Sequence, residues 1–336
     1  MKELISPADY VTSIVGSRLA VEVLMKLQYE FPLTPTPYCD VASSLGIEVD
    51  ELLEMLNKLR LLHVLKRVGF YFNVRASGKN VALIAISTSN PEAASKHLME
   101  LLEVTHSYLR ENDKFNLWVV GRHTSRDAIV EAARATAERY GDGRWAVLWS
   151  VRTYRLSVKY DLISGTSRAG PYSEIAQSPP SPEELGVPGE LAAALRRLPL
   201  AQHPYRAIAV KFRLDEERVF DAARRLLAAG VLADPGAALD GHRIGFKYNV
   251  MVTVKAREDR YDELCREIMQ GVPEATHIVL RRVEPPGAWS HLCYFMVHAV
   301  SMQLIDKIID RLYRLDLVDD VLKLPSIRDL APGLVR

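Results

Sequence analysis

The chain has 336 residues, 48% hydrophobic and 25% charged, with 43 Lys and Arg against 42 Asp and Glu. That composition excludes a disordered or collagen-like chain, and a net charge of +1 gives no global pull on a polyanion. No apolar run approaches the roughly 20 residues that cross a bilayer. MKELISPADY has no apolar signal core, so a cytoplasmic protein with no membrane partner is expected. Cys39, Cys265 and Cys293 form no CxxC pair, and the expectation is a reducing compartment without a disulfide framework.

In chain order, residues 35–65 read as helices around a tight turn at Gly46. Leu52, Leu53, Leu56, Leu59 and Leu62 recur at helical steps and predict one buried face. An extended wing follows, LKRVGFYFNV. Three helices with such a wing describe a winged helix-turn-helix over 1–75. A strand at 81–87, a helix at 91–102, strands at 104–110 and 115–122, a helix at 125–140 and strands at 145–150 and 154–162 follow. That order over 76–163 is the ferredoxin-like βαββαβ unit. The stretch 164–190 is rich in Pro, Ser and Gly and reads as a linker.

The same text then returns. Pro37, Tyr38, Ala42, Leu59 and Val64 meet Pro204, Tyr205, Ala209, Leu226 and Val231 at an offset of 167. RVGFYFNV (67–74) meets RIGFKYNV (243–250) at 176, so the second copy carries nine extra residues, ADPGAALDG. VTHSYLR (104–110) meets ATHIVLR (275–281) at 171. A second winged helix over 191–249 and a second ferredoxin-like domain over 250–336 are expected, with strands at 247–256, 273–281, 291–299 and 318–324 and helices at 258–269 and 302–314. The fold class is α+β, a tandem duplication of an Lrp/AsnC-like unit.

Such a unit normally suggests a transcription regulator. The second helix of each motif here begins with acid: Glu48, Asp50, Glu51 and Glu54, then Asp215, Glu216 and Glu217. Acid suits a helix N-terminus but opposes a phosphate backbone, so the winged helix reads as a scaffold and no DNA partner is expected.

The recurring polar residues point elsewhere. Lys66 and Arg67 precede Gly69 and Phe70, as His242 and Arg243 precede Gly245 and Phe246; Asn73 and Asn249 follow. Each copy has His then Arg four residues on, His106 with Arg110 and His277 with Arg281. Residues four apart on a strand share a face. An aromatic strand comes next, FNLWVVGRH in one copy and SHLCYFMVH in the other. Arg152, Arg155 and Arg328 lie in the final strands.

This pattern resembles the siroheme decarboxylases of alternative haem and d1-type haem biosynthesis. The resemblance rests on DGHRIGFKYNVMVTV, on LKRVGFYFNV and on VTHSYLRENDKFNLWVV, and spans nearly the whole chain as two fused family units. It departs at WSHLCYFMVH, where Ser290, His291 and Leu292 replace the family's Pro-Tyr-Asn. It implies loss of CO2 from the C12 and C18 acetates of siroheme, a ring with eight carboxylates. A site for it needs guanidinium forks, aromatic walls and an acid. The expected carboxylate and substrate contacts are Arg110, Arg281, Arg243, Lys66, Arg67, Asn73 and Asn249. Phe70, Tyr71, Trp118, Phe246, Tyr248 and Trp289 are the expected walls. His106, His277 and His242 are the expected proton-transfer residues or axial contacts with the iron. No cofactor beyond the iron of siroheme and no further metal is expected. The two halves would pair internally, or the chain as a homodimer. A DNA-binding regulator and a non-catalytic tetrapyrrole-binding protein are the alternatives.

Overall fold

The computed structural model describes residues 6–332; the first five residues, which begin the decapeptide read for a signal core, lie outside the described residues, as do the last four. The chain divides into two compact units. One takes the chain up to Ser77 with Leu156–Lys247 and His298–Leu304; the other takes Gly78–Arg155, Tyr248–Val297 and the chain from Ile305 on.

The first unit holds α1 (Pro7–Val15), α2 (Leu19–Tyr29), α3 (Pro37–Leu45), α4 (Val49–Leu61) and β1 (Leu65–Phe72). Pro37 opens α3, where a missing N–H costs nothing, and Gly46 closes it in the left-handed region (φ 68°). Leu52, Leu56 and Leu59 are fully buried, whereas Leu62 lies past the end of α4 and is 42% exposed, which corrects its expected place on the core face. The second unit opens with β2 (Asn80–Thr88), α5 (Pro91–Leu101), β3 (Glu103–Arg110), β4 (Leu117–His123), α6 (Arg126–Tyr140) and β5 (Gly141–Thr153).

The chain then re-enters the first unit through β6 (Lys159–Asp161), β7 (Thr166–Arg168), α7 (Gly189–Leu195), α8 (Pro204–Phe212), α9 (Glu216–Ala228) and β8 (Leu232–Leu239). The expected strand at 154–162 is therefore interrupted: β5 ends at Thr153, and only Lys159–Asp161 resumes, as a hairpin with β7. The expected linker is ordered. It carries β7, and Ser173 and Val187 in it are buried. Most of the nine extra residues of the second copy lie in β8, which pairs antiparallel with β1 (Leu65 opposite Leu239, Gly69 opposite Gly236). That pairing joins the two helical segments over one core, with Leu24, Leu52, Leu56, Leu195, Tyr205 and Leu226 in it.

The second unit is completed by β9 (Tyr248–Ala256), α10 (Tyr261–Gly271), β10 (Thr276–Glu284), β11 (Cys293–Ala299), α11 (Met302–Leu312) and β12 (Val318–Asp329), the last residues of β11 and the first turn of α11 belonging to the first unit. Its strands run β10-β5-β2-β4-β3-β12-β9-β11, and β10 also pairs with β11. The eight strands, four from each half, therefore close into a ring, which removes exposed sheet edges. The halves join twice, through β10–β5 and β12–β3. Along β2, Ala82, Ile84 and Ile86 face α5 and α6, while Leu83 and Ala85 face inward with Trp118, Leu148, Met251, Tyr294 and Leu324. Burial on both faces explains the unbroken apolar run of β2.

One expectation about the cysteines is overturned. Cys265 of α10 and Cys293 of β11 are fully buried and disulfide-bonded, with Cα atoms 6.0 Å apart. Cys293 lies on the opposite face of β11 from the inward Tyr294, where α10 packs. A separation of 28 residues carries no signal of that contact. Cys39 is free. No described helix is long and apolar enough to cross a membrane.

Candidate functional site

The ring interior carries His106 and Arg110 of β3, two of the polar residues that the sequence singled out. In β3, Ser107 turns toward α5, where its hydroxyl meets that of Ser95 at 2.6 Å. His106, Tyr108 and Arg110 therefore take the other face, opposite Val120 and Trp118 of β4. His106 is half-buried, its Nδ1 3.0 Å from Thr105 Oγ1 and its ring centroid 6.3 Å from that of Tyr108. The guanidinium of Arg110 lies 4.9 Å from the centre of the Tyr108 ring.

Arg110 is only 3% exposed. Its Nη1 donates to the carbonyl of Leu324 at 2.8 Å, and its Nε has no hydrogen-bond partner. Among the described residues no carboxylate pairs with it. Burial pushes its pKa down to about 10, against a small opposing effect of Tyr108. A buried cation lacking a counter-charge is costly and is held only by the surrounding fold.

The second half repeats the arrangement with one change. Arg281 of β10 donates through Nη1 to the carbonyl of Leu148 at 3.0 Å and lies 5.2 Å from the centre of the Tyr294 ring. Leu148 and Leu324 occupy matching places, in the last strand of each half, so the two arginines use equivalent backbone acceptors. The change is at His277. The strand slips register between Thr276 and Val279, and His277 takes a left-handed conformation (φ 52°). Strict alternation therefore stops at His277, so the face expected from its spacing to Arg281 does not follow. Burial, and then the charge of Arg281, push its pKa down to about 4. Its Nδ1 has no hydrogen-bond partner. Both effects favour the uncharged imidazole over the imidazolium.

Several expected contacts are absorbed by packing. Trp118 is 1% exposed and donates from Nε1 to the carbonyl of Phe115 at 2.9 Å; Trp289 packs against both, with ring centroids 5.4 and 5.8 Å away. Phe70 is buried, and Phe246 is buried against Tyr160 at 4.7 Å. Asn73 is buried and donates to the carbonyls of Ala176 (2.9 Å) and Gly230 (3.0 Å) while accepting from the backbone of Arg75. Arg67 donates to the carbonyls of Phe70 and Arg196, both at 3.1 Å; burial, then Arg196 and Arg197, lower its pKa to about 10. Arg155 donates to the carbonyls of Met269, in the last turn of α10, and of Ala275 beyond it, Arg152 pairs with Asp262, and Arg328 with Glu92.

Others lie open. Lys66 is exposed and pairs with Asp240 at 3.3 Å. His242 and Arg243 are exposed on the turn before β9; the backbone of Arg243 donates to Asp240. Tyr71 is half-buried, and Tyr248 is 37% exposed at the start of β9. Asn249 is half-buried, and its Oδ1 has no partner. The first unit also has a cavity of about 380 Å³ beside α2, lined by Glu22, Lys26, Tyr29, Asp161 and Arg168 among others; none of the residues singled out above lines it.

The sequence reading missed His291. It lies just before β11, is 7% exposed, and its Nε2 is 3.0 Å from Asp320 Oδ2 on β12. The departure at 290–292 was the available signal. Asp320, 29 positions away, was not foreseeable.

Two family models match the chain: an AsnC-like ligand binding domain over 78–155 and 243–331, and a siroheme decarboxylase NirDL-like HTH domain over 21–65. The siroheme decarboxylase NirDL subunit of Paracoccus denitrificans is 28% identical over 84% of this chain and 85% of its own length. The NirG subunit of Paracoccus pantotrophus is 33% identical over 71% of its length and 33% of this chain. The crystal structure of the siroheme decarboxylase NirDL in co-complex with an iron-uroporphyrin III analogue superposes with a TM-score of 0.62, at 22% identity, over 93% of this chain and 92% of that one.

Proposed function

The chain belongs to the siroheme decarboxylase family, and from that premise we propose that it removes CO2 from the C12 and C18 acetates of siroheme, giving 12,18-didecarboxysiroheme for haem or d1-type haem synthesis. It is a carboxy-lyase. The observation that supports the substrate is Arg110, a buried guanidinium with a free Nε and no carboxylate partner among the described residues. A carboxylate of the macrocycle would supply the missing counter-charge in fork geometry. Arg281 would take a second carboxylate at the matching place.

When a carboxylate leaves as CO2, its electron pair stays with the methylene carbon, which must then gain a proton. His106 stands in the row with Tyr108 and Arg110 and is proposed as one donor. His277, uncharged, suits an axial contact with the iron, since a neutral imidazole is the ligand form. A carboxylate arriving on Arg281 would cancel the charge that depresses His277 and raise its proton affinity. Tyr248, exposed, and Asn249, half-buried with an unpartnered Oδ1, are proposed as further contacts with the macrocycle's carboxylates and edge. The iron of the substrate is the only metal the reading calls for.

We also read the chain as a duplication and fusion of one winged-helix and ferredoxin-like unit. The repeated element order and the two cross-half strand pairs support it. Internal pairing then replaces the pairing of separate subunits.

The test is anaerobic incubation with siroheme followed by mass spectrometry of the tetrapyrrole. Loss of two CO2 per macrocycle is expected. Tight binding with unchanged mass would instead make the chain a tetrapyrrole carrier.

A further inference from the structure

We propose that His291 donates the proton in one of the two decarboxylations, held in place by Asp320 and recharged from solvent through Ser290. The inference rests on the siroheme reading above and adds a residue to it.

His291 has a partner at each ring nitrogen. Nε2 is 3.0 Å from Asp320 Oδ2 and Nδ1 is 3.2 Å from Ser290 Oγ. A carboxylate on one nitrogen fixes ring orientation and stabilises the imidazolium, while the other nitrogen keeps a transferable proton. Ser290 is exposed, so its hydroxyl links Nδ1 to water. Asp320 lies on the same face of β12 as Leu322 and Leu324, opposite Lys255 of β9; Leu324 belongs to the apolar lining of the ring interior. The imidazole packs 5.8 Å from Trp289, in the aromatic cluster with Phe115 and Trp118. His291 therefore stands where the aromatic lining meets solvent.

The first half shows what packing alone requires. At an offset of 176, where β4 matches β11, His291 corresponds to Phe115, which is 2% exposed. A phenyl ring satisfies that position. Replacing it by an imidazole costs the desolvation of its ring nitrogens with no packing gain, while Asp320, its partner, keeps about half of its side chain in solvent. Chemistry is the use that accounts for it. In the proposed step, the bond between the acetate methylene and its carboxylate breaks and CO2 departs. The electron pair left on carbon takes the proton from Nδ1. Water then returns a proton to Nδ1 through Ser290, so no oxidant or reductant is involved.

His291→Phe restores the side chain of the first half and is the deciding variant. Mixed anaerobically with siroheme, it should give the same absorption shift on binding as the unaltered chain. Product carrying one CO2 loss should accumulate, and the second loss should slow about 100-fold or more, the usual worth of a general acid. Asp320→Asn should slow it about tenfold. Burial lowers the proton affinity of His291 and Asp320 opposes this, with Lys255 and Asp319 the other charges nearby. Removing the Asp320 charge should therefore move the alkaline fall-off of kcat to lower pH, which a purely structural role would not do. Asp320→Glu should recover part of the rate. Full double decarboxylation by His291→Phe at the unaltered rate, or an unmoved pH profile in Asp320→Asn, overturns the inference alone. An unaltered chain that leaves siroheme intact overturns the siroheme reading, and this inference with it.

Discussion

Residues 67–74 and 243–250 share five of eight residues, yet the fold uses them differently. In the first copy the motif forms the strand β1. A Cβ at Gly69 would meet the carbonyl of Arg196, the guanidinium of Arg67 is tied to two carbonyls, and Asn73 fixes three backbone groups. In the second copy the motif is a turn leading into β9. Gly245 (φ 95°) faces open space, and His242, Arg243 and Tyr248 are exposed. The His-Arg strand shows the reverse: β3 keeps a regular row of His106, Tyr108 and Arg110, while β10 breaks at His277. A shared motif therefore does not imply a shared job. The first wing is spent on structure, and the second leaves His242, Arg243 and Tyr248 exposed.

The sharpest way to break this comparison is at the buried arginines. Arg110→Met and Arg281→Met should each weaken siroheme binding by roughly 100-fold or more, as loss of one partner of a buried charge pair costs about 2–5 kcal/mol. Arg110→Met should not lower the melting temperature, because removing an uncompensated buried charge is neutral or stabilising. A large loss of stability with unchanged binding would return Arg110 to a structural role.

Next comes acid sensitivity. His277 has a folded pKa of about 4 against 6.5 when unfolded, so the unfolded chain binds the extra proton first. Stability is full above the unfolded value and falls as pH drops from 6.5 toward 4, by up to about 3 kcal/mol. His277→Asn keeps a residue that tolerates positive φ and removes the titration. Urea unfolding across that range should show a flatter slope in the variant.

Asn73 and Asn249 sharpen the comparison further. Asn73→Ala strands buried carbonyls and should cost about 2 kcal/mol in urea unfolding. Asn249→Ala, whose Oδ1 has no partner, should cost less than about 1 kcal/mol. Smallest in stability is Arg243→Ala: an exposed side chain should change urea unfolding by less than about 0.5 kcal/mol.

Most elements were legible because helical and strand periods, Pro37 and Pro204 at helix starts and the glycine at a helix end are local signals. α5, β3 and α6 fall within two residues of expectation. What was lost was non-local. The strand β8 exists because β1 supplies its partner, the Cys265–Cys293 bond because α10 meets β11, and the His291–Asp320 pair because the segment ahead of β11 meets β12. The bulge at His277 was hidden for another reason: the spacing to Arg281 matches that of His106 to Arg110, and only the backbone shows the break. The repeat drew attention to the strand arginines and His106, which lie in one row or at matching places. Trp118, Phe246 and Asn73 turn out buried in packing or backbone contacts, which spacing alone does not reveal.

The central claim is that Arg110 and Arg281 receive carboxylates of the macrocycle, and a structure of the siroheme complex tests it most directly. The account predicts carboxylate oxygens within about 3 Å of both guanidinium groups. A macrocycle bound with no carboxylate at either guanidinium would contradict it.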